Sequence, residues 1–198
     1  MALLNFNPAT KPTSRGVIVI DDTGCKKWGQ HFQAVANQYY GTEHIVTNCH
    51  NVVFSAYCDN KKAYPINFSP YIPENDPLCT SHEAQFKSKI QLADELIDDI
   101  LQKDIPHCDI IFDNWYFSNN FIYSLNLNKQ KWITEAESTR LISYHGKWTR
   151  ADDLVKVIPC TKFNKKVTLP MPKVKIDLSS FTASKPKFMV LKVIISPL

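Results

Sequence analysis

Carboxylates follow short apolar runs at two places in the chain, and this is its strongest chemical signal. Gly16-Val17-Ile18-Val19-Ile20 leads straight into Asp21, Asp22, Thr23 and Gly24, and Cys108-Asp109-Ile110-Ile111-Phe112 leads into Asp113. β-branched residues in so short a run make a strand covered on both faces rather than a helix. Acids at the carboxyl end of such a strand lie where open α/β sheets place their chemistry. Unpaired, they are costly to desolvate, so they either turn out into solvent or hold something positive. Two or three carboxylates at neighbouring strand ends make an oxygen-rich site for Mg²⁺ or Mn²⁺. Two such ions, about 3.5–4 Å apart, suit phosphodiester displacement, because they activate the attacking oxygen and stabilise the leaving one. No side-chain nucleophile is required. Asp21 and Asp113 are therefore the candidate metal ligands and catalytic residues. The pattern Asp-x-Thr favours Asp21, with Thr23 fixing a turn; Asp22 is the alternate, since the strand pleat alone does not choose between them.

Positioning such acids takes a sheet, and the remaining elements supply one. Residues 1–15 are polar, with Pro8 and Pro12, and read as an N-terminal arm. Residues 25–42 read as a polar loop ending at Tyr39-Tyr40 and a Gly41 turn. Residues 44–57 alternate as a strand, and Asp59-Asn60 turns the chain into a second extended run, 63–71, so this region is a hairpin. Residues 73–82 are a loop. Residues 88–103 are the clearest helix: Ser88 and Gln91 form a capping box. Ile90, Ala93, Ile97 and Ile100/Leu101 recur at helical spacing, with Asp94, Glu95, Asp98 and Asp99 on the solvent side. Pro106 closes it. Residues 108–117 are a second buried strand, Ser118 to Asn120 cap a second helix, and 131–135 form a last strand. Strand, hairpin, helix, strand, helix, strand is the order of a ribonuclease H-like core. That is an α/β fold whose mixed sheet, with flanking helices, lays the first strand beside the strand that follows the first helix. Asp21 and Asp113 are then expected to face each other.

From Arg140 the composition changes. Up to Thr139 there are 11 Lys+Arg against 16 Asp+Glu, net −5, whereas Arg140 to Leu198 has 12 against 3, net +9. Residues 16–139 read as the core, and 140–198 as a separate, basic, β-rich insertion segment. It has β-like pieces at 154–160 and 188–195 and is expected to be incomplete. An acidic body beside a basic segment fits cation binding next to a polyanion-binding surface. Arg140, Lys147 and Arg150 are its candidate polyanion contacts. The six cysteines form no CxxC pair and are expected to be buried free thiols. The six histidines lack zinc spacing. No stretch is long and apolar enough to span a membrane and no secretory pattern opens the chain, so the expectation is a cytoplasmic protein without a membrane partner.

The runs VIDDTGCKKWGQHF, QYYGTEHIVTNCHNVVFSAY and IIFDNWYFS, in this order and spacing, resemble the DDE transposases of bacterial and archaeal insertion sequences over about residues 16 to 142. The resemblance implies a ribonuclease H-like catalytic domain with two Mg²⁺ (or Mn²⁺) ions that cuts and transfers double-stranded DNA at transposon ends. It implies that Asp21 (or Asp22) and Asp113 are the first two acids of a metal-binding triad, and that Lys27, Trp115 and Tyr116 lie near the DNA end. It also implies a second copy of the chain, or a longer transposase, as protein partner. The family's third acid is a glutamate on a helix beyond a β-rich insertion. Glu135 and Glu137 come too early for it and read as strand-end surface residues, and the chain ends at Leu198 within the expected insertion. A truncated transposase is therefore expected, keeping the fold and weak metal binding without completing strand transfer. Two other readings compete. One is a non-catalytic DNA- or protein-binding fragment. The other is an aspartyl-phosphate hydrolase with its nucleophile in the Asp21-Asp22-Thr23-Gly24 loop, although Asp113 has no glycine beside it as that class requires.

Overall fold

The computed structural model describes residues 9–28, 32–40, 43–144, 146–157 and 189–191. Its sheet grows from β1, Val17–Lys26, whose apolar first half is buried. On one side β1 pairs antiparallel with β3, Ile45–Cys58; on the other it pairs parallel with β5, Asp109–Phe112. Beyond β5 lie parallel β6, Trp132–Ala136, and antiparallel β9, Met189–Leu191. Two strands share the outer edge of β3 end to end: β2, Ala36–Tyr40, pairs Ala36 with Cys49, and β4, Ala63–Tyr71, pairs Tyr71 with Asn51. An antiparallel meander joined to parallel strands reached through helices is the ribonuclease H-like arrangement.

Helix α1, Pro77–Thr80, is a single turn capped by Asp76. Helix α2, Lys89–Gln102, carries the expected capping box between Ser88 and Gln91. It buries Leu92, Ala93, Leu96, Ile97 and Ile100 against Ile18, Ile20, Val53 and Tyr57. Each such aliphatic side chain contributes about 1.5–3 kcal/mol, so α2 is held by its apolar stripe. A 3₁₀ turn, Asn114–Tyr116, follows β5. Helix α3, Asn119–Leu127, then starts at the Ser118 cap and sets Phe121 edge-on to Phe112 at 5.1 Å.

Several expectations change. The strand carrying Asp21 and Asp22 does not stop there but continues to Lys26, so these acids occupy a strand and no turn at Thr23. That also removes the loop an aspartyl-phosphate nucleophile would sit in. The expected loop at 25–42 contributes the end of β1 and all of β2. Residues 151–157, overlapping a segment expected to be β-like, form helix α4, Ala151–Val157. Asp152 and Asp153 in its first turn and Lys156 in its last complement the helix dipole. The remainder of that segment, 158–160, lies outside the described residues. Ahead of α4, β7 (Leu141–Tyr144) and β8 (Lys147–Arg150) form a two-stranded sheet of their own. β9, from the second β-like piece, joins the core sheet, so the basic segment is not wholly separate. Cys49 and Cys58 are buried as expected, Cys25 is exposed, and Cys160 lies outside the described residues.

Described residues of the N-terminal arm are tied to the meander. The Thr13 N–H donates to the Tyr57 hydroxyl at 2.8 Å, and the Tyr64 hydroxyl donates to the Thr10 carbonyl at 2.6 Å. Tyr57 in turn donates to Asp59 at 3.0 Å, and the Lys61 and Lys62 N–H groups reach the same carboxylate at 2.8 and 3.0 Å. Gly16 lies against the Tyr57 ring, where an added Cβ would sit 2.2 Å from ring atoms. Gly16→Ala is accordingly expected to cost about 2–4 kcal/mol in urea unfolding, as overpacking against a buried ring does. Burial pushes the Asp59 carboxyl up, but its hydrogen bonds from Lys61, Tyr57 and Lys62 outweigh this and hold it below the ordinary carboxylate value. A depressed carboxyl stabilises the fold above its unfolded pKa, about 4, and loses that contribution as the pH falls. The stability gap between wild type and Asp59→Asn, measured by urea unfolding, is expected at pH 7 and to narrow by pH 3.

Candidate metal centre

Register places the two acids side by side. In the parallel β1–β5 ladder Val19 pairs with Ile111 and Ile20 with Phe112, so the next residues on the two strands are Asp21 and Asp113. The pleat sorts the side chains. Ile18 and Ile20 pack in the core beneath α2, as Ile110 and Phe112 do beneath α3. Successive strand residues alternate faces, so Asp22 follows Ile18 and Ile20 to the helix side, while Asp21 and Asp113 share the opposite side. β5 ends at Phe112, and Asp113 opens the 3₁₀ turn without a side-chain capping bond.

Asp22 is bound to neighbours on its side. Its carboxylate accepts from Lys89 Nζ at 2.7 Å and from the Tyr116 hydroxyl at 3.3 Å. Among the described residues neither Asp21 nor Asp113 forms an ion pair. Burial raises the Asp21 carboxyl above its ordinary value; the Asp22 N–H, donating at 2.8 Å, lowers it, and the charges of Asp22 and Asp113 raise it further. Two adjacent carboxylates, both exposed and one of them partly desolvated and crowded by negative charge, are a donor set that a hard divalent cation relieves. Mg²⁺ takes one or two carboxylates and keeps water for its remaining positions, so the set fits such an ion. No group of three His, Cys, Asp or Glu side chains close enough to hold a metal occurs among the described residues.

The other sequence candidates separate into surface and interior. Trp115, two residues past Asp113, is 54% exposed, whereas Tyr116 is fully buried and gives its hydroxyl to Asp22. Tyr116 thus offers no surface to DNA; burial and the Asp22 charge push its phenol well above the ordinary value. Arg140 stacks 3.9 Å over the Phe117 ring, and Lys147 is exposed on β8. Arg150 is engaged by Asp152, with bonds of 3.0 and 2.8 Å, which occupies much of its guanidinium. Lys27 sits 5.9 Å from the Phe32 ring, past the end of β1. Glu135, expected at a strand end, lies in β6, one residue beyond the Phe112–Thr134 pair, in the same row as Asp113. It stands two strands from Asp21, roughly 9–10 Å at the usual strand spacing. Only the parallel pairing of β6, invisible in local spacing, reveals that alignment.

The family described as DDE superfamily endonuclease matches residues 4–148. The chain belongs to that family. Asp21, Asp22, Lys27, Asp113, Trp115, Tyr116, Glu135, Arg140 and Lys147 of this DDE superfamily endonuclease lie within the matched span, and Arg150 falls just outside it. No curated protein sequence matches the chain. Two solved structures are similar at low identity. One is endonuclease V of Ciona intestinalis in complex with a 24mer DNA containing an inosine, at 12% identity and a TM-score of 0.37 over 76% of this chain. The other is the NurA nuclease of Sulfolobus solfataricus, at 10% identity and a TM-score of 0.37 over 75% of this chain. The chain spans 57% and 55% of their respective lengths. Among the described residues no helix is long and apolar enough to cross a membrane.

Removing a crowded carboxylate relieves repulsion while destroying the site, the usual trade between stability and function. Asp21→Asn is expected to melt about 1–2 °C above wild type in a chelating buffer. A cation held by Asp21 and Asp113 stabilises the folded state, so added Mn²⁺ is expected to raise the melting temperature of wild type and to leave that of Asp21→Asn unchanged.

Proposed function

We propose that this DDE superfamily endonuclease uses Asp21 and Asp113 as carboxylate ligands of a divalent cation for phosphodiester cleavage in double-stranded DNA, and that the biological reaction is transposition, cleavage and strand transfer at transposon ends. One observation carries the reading: the two acids are neighbours across the parallel β1–β5 register and share one side of the sheet. The family match over residues 4–148 supports the reaction class.

The chain's own groups divide the work. Asp21 and Asp113 would hold the cation, Mg²⁺ or Mn²⁺, which when bound supplies charge stabilisation at the phosphate and a more acidic attacking water. Asp22 keeps its bond to Lys89 and stays out of the ligand set. Arg140, stacked on Phe117, and exposed Lys147 offer cations to the DNA backbone, whose phosphates dominate affinity. Lys27 extends that surface beyond the end of β1. The exposed ring of Trp115 beside Asp113 supplies an aromatic face for stacking against a base or sugar. Arg150, already paired with Asp152, contributes least.

Nicking of supercoiled plasmid in Mn²⁺ tests the reading. Wild type is expected to cut, EDTA to abolish cutting, and Asp21→Ala or Asp113→Ala each to reduce it by about 100-fold or more. Salt-sensitive DNA binding that survives both substitutions, with no cutting by wild type, would overturn it in favour of a non-catalytic DNA-binding fragment.

A further inference from the structure

Lys89 is the first residue of α2, where the positive end of the helix dipole disfavours a cation. Nothing in helix formation recommends a lysine there, and four groups from other elements surround it. Its ammonium lies 2.7 Å from Asp22 of β1, 5.5 Å from the Trp115 ring centre after β5, and 5.6 Å from the Tyr71 ring centre of β4. Asn51 of β3 completes the cage. With its amide turned so that the nitrogen donates to the Thr23 carbonyl at 2.9 Å, its oxygen accepts from Lys89 at 3.0 Å. Lys89 is only 15% exposed, so this charge sits in a largely desolvated, prebuilt socket.

Resting on the reading of Asp21 and Asp113 as cation ligands, we infer that Lys89 is a positioning residue for the centre, acting through Asp22. Its ammonium neutralises the second acid of the Asp21-Asp22 pair and fastens it on the helix side of the sheet. Three acids then lie at this point of β1 and β5, while only two negative charges remain uncompensated, both on the side of the proposed cation. The same ammonium sits beneath the Trp115 ring and so braces the turn that follows Asp113. A structural tie alone would make Lys89 matter for stability and nothing else. A charge-setting role makes a different prediction: without Lys89, Asp22 is left uncompensated beside Asp21, and the centre attracts cations more strongly.

Titration of Mn²⁺, followed by water-proton relaxation, separates the two. Lys89→Met is expected to bind Mn²⁺ about three- to fivefold more tightly than wild type, the size expected for one uncompensated charge at this range in a largely aqueous dielectric. The double variant K89M/D22N is expected to return to wild-type affinity, and Lys89→Arg to keep it. Affinity in Lys89→Met equal to or weaker than wild type, or a tightening that persists in K89M/D22N, would overturn the inference. If thermal melts show Lys89→Met unfolded, Lys89→Gln, which keeps a hydrogen-bond donor without the charge, carries the same expectations. Wild type that binds no Mn²⁺ refutes the metal centre itself and the role of Lys89 with it. Wild-type binding with an unchanged Lys89 variant refutes the role of Lys89 alone.

Discussion

The structure depends on the parallel ladder between β1 and β5. Four residue pairs, from Val17–Asp109 to Ile20–Phe112, fix the register. A slip of one residue would turn every side chain to the opposite face, taking Ile110 and Phe112 out of the core and Asp113 away from the side shared with Asp21. The apolar demand of the core therefore sets the geometry of the acids. Ile18, Ile20, Ile110 and Phe112 must all face the helices, and once they do, Asp21 and Asp113 are left on the other side at the point where β5 stops.

Helix packing enforces that demand from one side. α2 places Leu96, Ile97 and Ile100 over the first strand, while α3 sets Phe121 against Phe112. The α2 contacts with the first strand join residues more than 70 positions apart in sequence, so the acid pair assembles only with the whole core. The continuation of β1 to Lys26 follows from β3, whose long partner strand pairs it residue by residue as far as Cys49. β5 has no such extension. Asp21 thus lies inside one strand and just past the end of another, with backbone hydrogen bonds supplied by β3 and its other flank open.

Much of this was legible in the sequence where local signals are strong. The two apolar runs, the Ser88–Gln91 box, the Asp59-Asn60 turn and the Ser118 cap each have a short-range physical cause, and each stands where it was expected. The composition break at Arg140 was legible as charge but not as structure: the acids of Asp152 and Asp153 favour a helix start over the strand that the β-branched residues around them suggest. Long-range choices were not legible. The length of β1 is dictated by β3, the assignment of β2 to the same edge as β4 by the register at Cys49 and Asn51, and the alignment of Glu135 by the pairing of β6. Tyr116 misled because an aromatic next to a candidate acid looks the same in sequence whether it faces solvent or the core.

The choice between Asp21 and Asp22 shows why adjacency in sequence is a poor guide to shared chemistry in a strand. The pleat sends the two carboxylates to opposite faces, so they meet different neighbours although their backbones are consecutive. Asp22 enters the helix side, where a bare carboxylate would be expensive, and there it meets a lysine 67 positions away and a buried phenol. Asp21, on the other face, accepts the Asp22 N–H at 2.8 Å and meets the charge of Asp113. The same fold pairs one carboxylate with a cation and leaves the other without an ion pair among the described residues. Asp21 and Asp113 are both exposed at the point where β5 stops, open to a cation from solvent, and this geometry favours them, rather than Asp21 and Asp22, as the proposed ligand pair.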